Sequence, residues 1–65
     1  MSAESVAARL HALGYGITIN LWAEQEEYVV ELWKDGKPAC SAYDIDLIVA
    51  LALAEARLQQ GRLAL

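Results

Sequence analysis

The sequence predicts an α+β fold of order α-β-β-β-α, a three-stranded antiparallel meander packed against two helices. Three observations carry this. Val6, Leu10 and Leu13 recur at helical spacing near the N-terminus. The central stretches "ITINLWA" and "EYVVELW" alternate as half-buried strands do. The later "DLIVALALAEARL" returns to a helical period. A chain of 65 residues holds one domain, residues 1–65.

Ser2 is placed to cap a helix that begins at Ala3, with Glu4 in the favourable first turn. Ala3 and Ala7 flank the Val6, Leu10, Leu13 stripe. Arg9 and His11 lie off it, and Gly14 ends the helix. In the first strand Ile17, Ile19, Leu21 and Ala23 face one way, and Thr18, Asn20 and Trp22 the other. In the second, Tyr28, Val30 and Leu32 oppose Val29, Glu31 and Trp33. A two-residue turn at Glu24-Gln25 sets Leu21 opposite Tyr28, Ile19 opposite Val30 and Ile17 opposite Leu32. The apolar set then lands on one face, the condition that fixes a register. A primed turn prefers Gly or Asn there, so a longer, bulged loop is the alternative.

Asp35-Gly36 in "KDGK" suits a type I′ hairpin that pairs Leu32 with Ala39 and Trp33 with Pro38. Pro38 cannot donate to a ladder, which makes "KPACSA" a short edge strand. Asp44 caps the second helix and Asp46 complements its N-terminus. That helix runs from about Ile45 to Gln60 and stops at Gly61. Leu47, Leu51, Ala54 and Leu58 form its stripe, and Val49 and Leu53 widen it, so it is buried on more than one side. The tail "RLAL" is frayed or docked on a partner. Ile19, Leu21, Val30, Leu32, Leu47 and Leu51 are the expected core. Trp22, Val29 and Trp33 point to the other face of the sheet, with Thr18, Asn20, Glu31 and Cys40. Either the other helix covers that face, making a helix–sheet–helix sandwich, or the face is open as an interface.

An apolar fraction of 57% exceeds the roughly 45–50% of an average domain. A chain this short buries only about 60% of its unfolded surface, so self-association, as a homodimer, is expected. Nine acidic and five basic residues give a net charge of −4, which excludes a direct nucleic-acid ligand, since phosphate binding needs clustered Lys and Arg. A single cysteine, Cys40, rules out an internal disulfide framework. The N-terminus carries no signal-peptide pattern. The longest apolar run, "LIVALALA", falls short of the ~20 residues that span a bilayer. A cytoplasmic location away from membranes follows as the expectation.

Little here carries chemistry. The turn glutamates Glu24, Glu26 and Glu27 are solvated, and Asp44 and Asp46 serve as caps. Acid–base work needs carboxylates in a cleft that drives their pKa values apart. His11 and Cys40 are too few and too far apart in sequence for a tetrahedral metal site. Gly14, Gly16, Gly36 and Gly61 match no phosphate-binding loop. The expectation is a non-enzyme without metal or cofactor.

The element order is similar to that of double-stranded RNA-binding domains. That family carries lysines at the start of its last helix, where this chain has the acidic and apolar "YDIDLIVA". "LHALGYGI", "EYVVELWKDGKPACSA" and "DLIVALALAEARL" together resemble small phage-encoded alpha-beta-alpha sandwich domains over nearly the whole chain. That resemblance implies a phage or prophage origin, a non-catalytic role and, if phage-encoded, residence in the host cytoplasm. In size and charge the chain also resembles anti-CRISPR proteins. That implies a partner such as a bacterial nucleic-acid-binding complex whose surface is occluded. The residues expected to bind a basic protein surface are Trp22, Glu24, Glu26, Glu27, Glu31 and Trp33. Aromatics supply anchors and carboxylates steer. The competing expectation is a homo-oligomeric structural or accessory phage protein.

Overall fold

The computed structural model describes the backbone of residues 2–63 and the side chains of residues 2–60. The elements are α1 (Ala3–Ala12), β1 (Gly16–Trp22), β2 (Glu27–Lys34), β3 (Lys37–Asp44) and α2 (Leu47–Leu63). The strands form one antiparallel sheet in the order β1-β2-β3. The α-β-β-β-α architecture matches the sequence reading.

Both helices lie on one face of the sheet. Val6 and Leu10 of α1, and Ala50, Leu51 and Ala54 of α2, share a single buried cluster with Val30, Leu32 and Ala42 of the sheet. Ile17, Tyr28, Cys40, Leu47 and Leu58 pack against it. The fold therefore has two layers. Among the described residues no helix is long and apolar enough to cross a membrane.

Each end of α1 is secured by local chemistry. Ser2 and Ser5 form a reciprocal capping box: the Ser2 hydroxyl accepts from the Ser5 amide and the Ser5 hydroxyl accepts from the Ser2 amide. At the other end Gly14 has φ +92°, its amide donates to the His11 carbonyl, and the Tyr15 amide donates to the Leu10 carbonyl. These two bonds make a Schellman turn, which swings Tyr15 over Leu10. Tyr15 is consequently buried while Leu13, expected on the core stripe, is half exposed. The helix ends at Ala12, so Leu13 has already left its apolar face. Lys34 adds a third contact. Its ammonium donates to the Leu13 carbonyl at 3.0 Å and sits 4.7 Å from the Tyr15 ring centroid, a cation where the helix dipole favours one.

The β1–β2 register is the expected one: Leu21 faces Tyr28, Ile19 faces Val30 and Ile17 faces Leu32. The connection is a four-residue loop, Ala23 to Glu26, rather than a two-residue turn, and the register does not slip. The loop is held by the Gln25 amide on the Trp22 carbonyl and the Glu26 amide on the Ala23 carbonyl. It requires Glu26 at φ +52°, a left-handed conformation that costs a side-chain-bearing residue about 1–2 kcal/mol. Opposite effects are expected at the two left-handed sites. Gly14→Ala should destabilise by about 1–2 kcal/mol. Glu26→Gly should stabilise by about 0.5–1 kcal/mol, since glycine's own entropy offsets part of the relief. Urea midpoints of the two variants check the signs.

The β2–β3 hairpin turns at Asp35 and Gly36, both at positive φ, as a type I′ turn demands. Trp33 faces Pro38 as expected, but Leu32 faces Cys40 instead of Ala39. A β-bulge between Leu32 and Trp33 takes up the extra residue. It sits beside Pro38, which has no amide for the ladder. The bulge rotates Cys40 off the open face and under α2, where its thiol donates to the Ala54 carbonyl at 3.4 Å. Burial pushes that thiol's pKa up, with the nearby Arg57 charge opposing.

Two further expectations are corrected. β3 continues through Tyr43 to Asp44, so it is not short. Asp44 does not cap α2. Its carboxylate accepts from the Asp46 amide, and Asp46 accepts from the Ile48 amide at 2.9 Å as the true N-cap. α2 therefore starts two residues later than expected. It also runs past Gly61 to Leu63, because one glycine costs about 1 kcal/mol, too little to stop an established helix. Docking of the side chains of "RLAL", and residues 64–65, fall outside the described residues. The core differs from the expected one: Val30, Leu32 and Leu51 are in it, Leu47 is only partly buried, and Ile19 and Leu21 are 44% and 60% exposed. They point to the helical face, but β1 is an edge strand and the helices leave that margin uncovered.

Arg9 of α1 clasps Glu55 of α2 through two hydrogen bonds, both 3.0 Å. Glu55 is 19% exposed. The Arg9 hydrogen bonds hold the Glu55 carboxyl below its ordinary value of 4.5, against the opposing effect of burial. A depressed carboxylate stabilises the fold above its unfolded pKa, and that contribution disappears as pH falls through the folded value. The melting temperature of Glu55→Gln should accordingly fall less than that of the parent between neutral pH and pH 3. Parallel pH profiles would show that the clasp contributes nothing.

Candidate functional site

The sheet face away from the helices is built from alternate residues of all three strands. Trp22 lies across from Glu27. Asn20, Val29 and Tyr43 form the next row, then Thr18, Glu31 and Ser41, then Gly16, Trp33 and Pro38. Among the described residues neither helix covers this face. Of the two arrangements left open by the sequence, the sheet takes the open one.

The six expected partner-binding residues do not form one cluster. Trp22 and Glu27 are cross-strand neighbours, and Glu24 and Glu26 sit in the adjoining exposed loop. Glu31 lies one same-face step from Trp33. Trp33 stands at the far end, since the strand rises about 20 Å from Glu27 to Trp33. The two tryptophans also differ in availability. Trp22 is 52% exposed. Trp33 is largely covered, and its indole N–H is sealed from solvent without an acceptor among the described residues.

A further aromatic takes the place that Trp33 leaves. Tyr43 of β3 is 61% exposed on the same face. It faces Val29, one same-face step along β2 from Glu27. Trp22 and Tyr43 thus stand on opposite edge strands and flank Glu27 and Val29 between them. The alternation of "ACSAYD" held this signal: Ser41 and Tyr43 share a parity, and the strand had only to be followed two residues further.

The charge on this side is uncompensated. Arg9 is held by Glu55, Lys34 by the Leu13 carbonyl, and the Arg57 guanidinium by the Ser41 carbonyl. Arg9–Glu55 is the single ion pair among the described residues, so Glu24, Glu26, Glu27 and Glu31 have no cation within salt-bridge distance.

No protein-family model matches the chain, and neither a curated protein nor a solved structure matches it at a significant level.

Away from this face, the described residues form one cleft to consider for a small ligand. A shallow cleft between the helices, lined by Leu10, Leu13, Tyr15, Glu55, Leu58 and Gln59, has a cavity volume of ≈ 30 Å³. Ligand pockets run ~300–1,000 Å³ and bury most of their occupant. Among the described residues no three His, Cys, Asp or Glu side chains are grouped to hold a metal ion. His11 is exposed on α1, and the Cys40 thiol is directed at α2.

Proposed function

We propose that the protein is a small non-catalytic binding module that docks its open sheet face on a basic protein surface. The observation that carries this is the placement of Glu27 and Val29 between two exposed aromatics, Trp22 and Tyr43, beside glutamates that have no cationic partner among the described residues. An aromatic flanked by carboxylates anchors by burial while the charge steers the approach. A lysine or arginine stem fits between such rings, with its charge over a π face. A partner surface of this chemistry is that of a bacterial nucleic-acid-handling complex. Occluding it would inhibit or regulate that complex, in the manner of the phage-encoded inhibitors that the chain resembles in size and charge.

The test begins with capture of a partner from a bacterial lysate by the immobilised protein. Binding kinetics of the purified pair follow. Trp22→Ala should weaken binding by tenfold or more. Reversal of Glu24, Glu26 and Glu27 to lysine should slow association and flatten its salt dependence, because steering is screened over ~8 Å at physiological ionic strength. Trp33→Phe should bind as the parent does. A captured protein whose affinity is indifferent to Trp22 and to the three glutamates would reject the docking face. Undiminished nucleic-acid binding by the partner in the complex would reject occlusion.

A further inference from the structure

The two edges of the sheet are treated differently. β3 carries Lys37, Pro38 and Asp44, and the Arg57 guanidinium of α2 donates to its Ser41 carbonyl. Charges, proline and covering side chains are the devices that keep an edge from pairing. Among the described residues β1 has none of them. "GITINLW" contains no charged residue and no proline. Its edge is the free side of the sheet, and on the helical face it shows Ile19 at 44% and Leu21 at 60% exposure.

We infer that β1 pairs antiparallel with β1 of a second copy, about a two-fold axis through Ile19. The strand is self-complementary in that register. Ile19 meets the partner's Ile19, and Ile17 meets the partner's Leu21, all on the helical face. Thr18 meets the partner's Asn20, and Gly16 meets the partner's Trp22, all on the open face. Every residue of Gly16–Trp22 finds a partner, apolar with apolar and polar with polar. A one-residue slip would set Ile19 against Thr18 or Asn20, and a two-residue slip would leave two residues of each seven-residue strand unpaired. Isologous pairing of this kind closes on itself and stops at a dimer. Charge also permits it. Each copy carries −4, yet the acidic loop that follows β1 falls beyond the paired segment, beside the start of the partner's β1, where the partner's Lys34 caps its helix. The result is one six-stranded antiparallel sheet with four helices on one side. This goes beyond the docking reading and does not depend on it.

Sedimentation equilibrium from low to high micromolar concentration tests the dimer. The parent should approach twice the monomer mass. Ile19→Lys should sediment as a folded monomer, since that side chain is already half in water. Val49→Lys, on the outer surface of α2, should remain dimeric. If Ile19→Lys fails to fold, amide exchange of the parent decides: β1 amides should slow with rising concentration and β3 amides should not. A parent that stays monomeric throughout, with β1 exchange independent of concentration, would overturn the inference. So would a dimer abolished by Val49→Lys and untouched by Ile19→Lys. In the monomeric case the free edge is left to an extended peptide of another protein.

Discussion

Leu51→Ala is expected to destabilise the fold by about 2–5 kcal/mol, and Leu32→Ala by a similar amount. Both side chains are fully buried, at 1% and 0% exposure, one from α2 and one from the central strand of the sheet. They are members of the same buried cluster, so the helix and the sheet depend on them together. A domain of this size is stable by roughly 3–10 kcal/mol at 0.05–0.15 kcal/mol per residue. Either substitution therefore removes a large share, and the double variant should be unfolded in water. Leu21→Ala, at the uncovered margin, should cost less than ~1 kcal/mol when measured at low protein concentration. Urea denaturation distinguishes the two classes. A well-folded Leu32→Ala/Leu51→Ala protein would show that the core lies elsewhere.

Ala54→Leu is expected to destabilise by about 1–3 kcal/mol, through too much volume rather than too little. Ala42, Ala50 and Ala54 are all fully buried where α2 lies on the sheet. Their small side chains let the helix come close enough for the Cys40 thiol to reach the Ala54 carbonyl. A leucine at Ala54 pushes the helix off the sheet and lengthens that contact. Ala56→Leu, on the exposed side of α2, should stay within about 0.5 kcal/mol of the parent. At roughly 4–8 °C per kcal/mol for a domain of this size, a thermal melt separates them. Equal melting temperatures would mean that the helix is not seated on these alanines.

The parts of this structure legible in the sequence are those governed by period and by turn chemistry. The β1–β2 register could be read because a one-residue slip would split Ile17, Ile19, Leu21, Tyr28, Val30 and Leu32 between the two faces, and a turn centred on Glu24-Gln25 selects among the alignments that remain. The type I′ turn could be read from Asp35-Gly36. The bulge at Leu32/Trp33 could not, since alternation counts residues and a bulge adds one without a signal of its own beyond the nearby proline. That single residue misplaced Cys40. The exposure of Ile19 and Leu21 was also out of reach, because a pattern tells which face a residue takes and not how far the covering helices extend. On the open face, Trp22, Glu27, Glu31 and Trp33 fell where alternation put them. Tyr43 was missed because Asp44 looked like a cap, whereas Asp46 two residues later takes that role.

The contact between Cys40 and α2 has a consequence for how the molecule can be observed. A thiol reacts as its thiolate, and burial here disfavours ionisation. Cys40 is only partly buried, so its alkylation is slowed rather than blocked while the helix stays on β3 and the thiol keeps its bond to the Ala54 carbonyl. With a single cysteine in the chain, the labelling rate in excess reagent rises as that helix lifts more often, without mutation or added probe. The molecule carries its own reporter on the separation of its two layers.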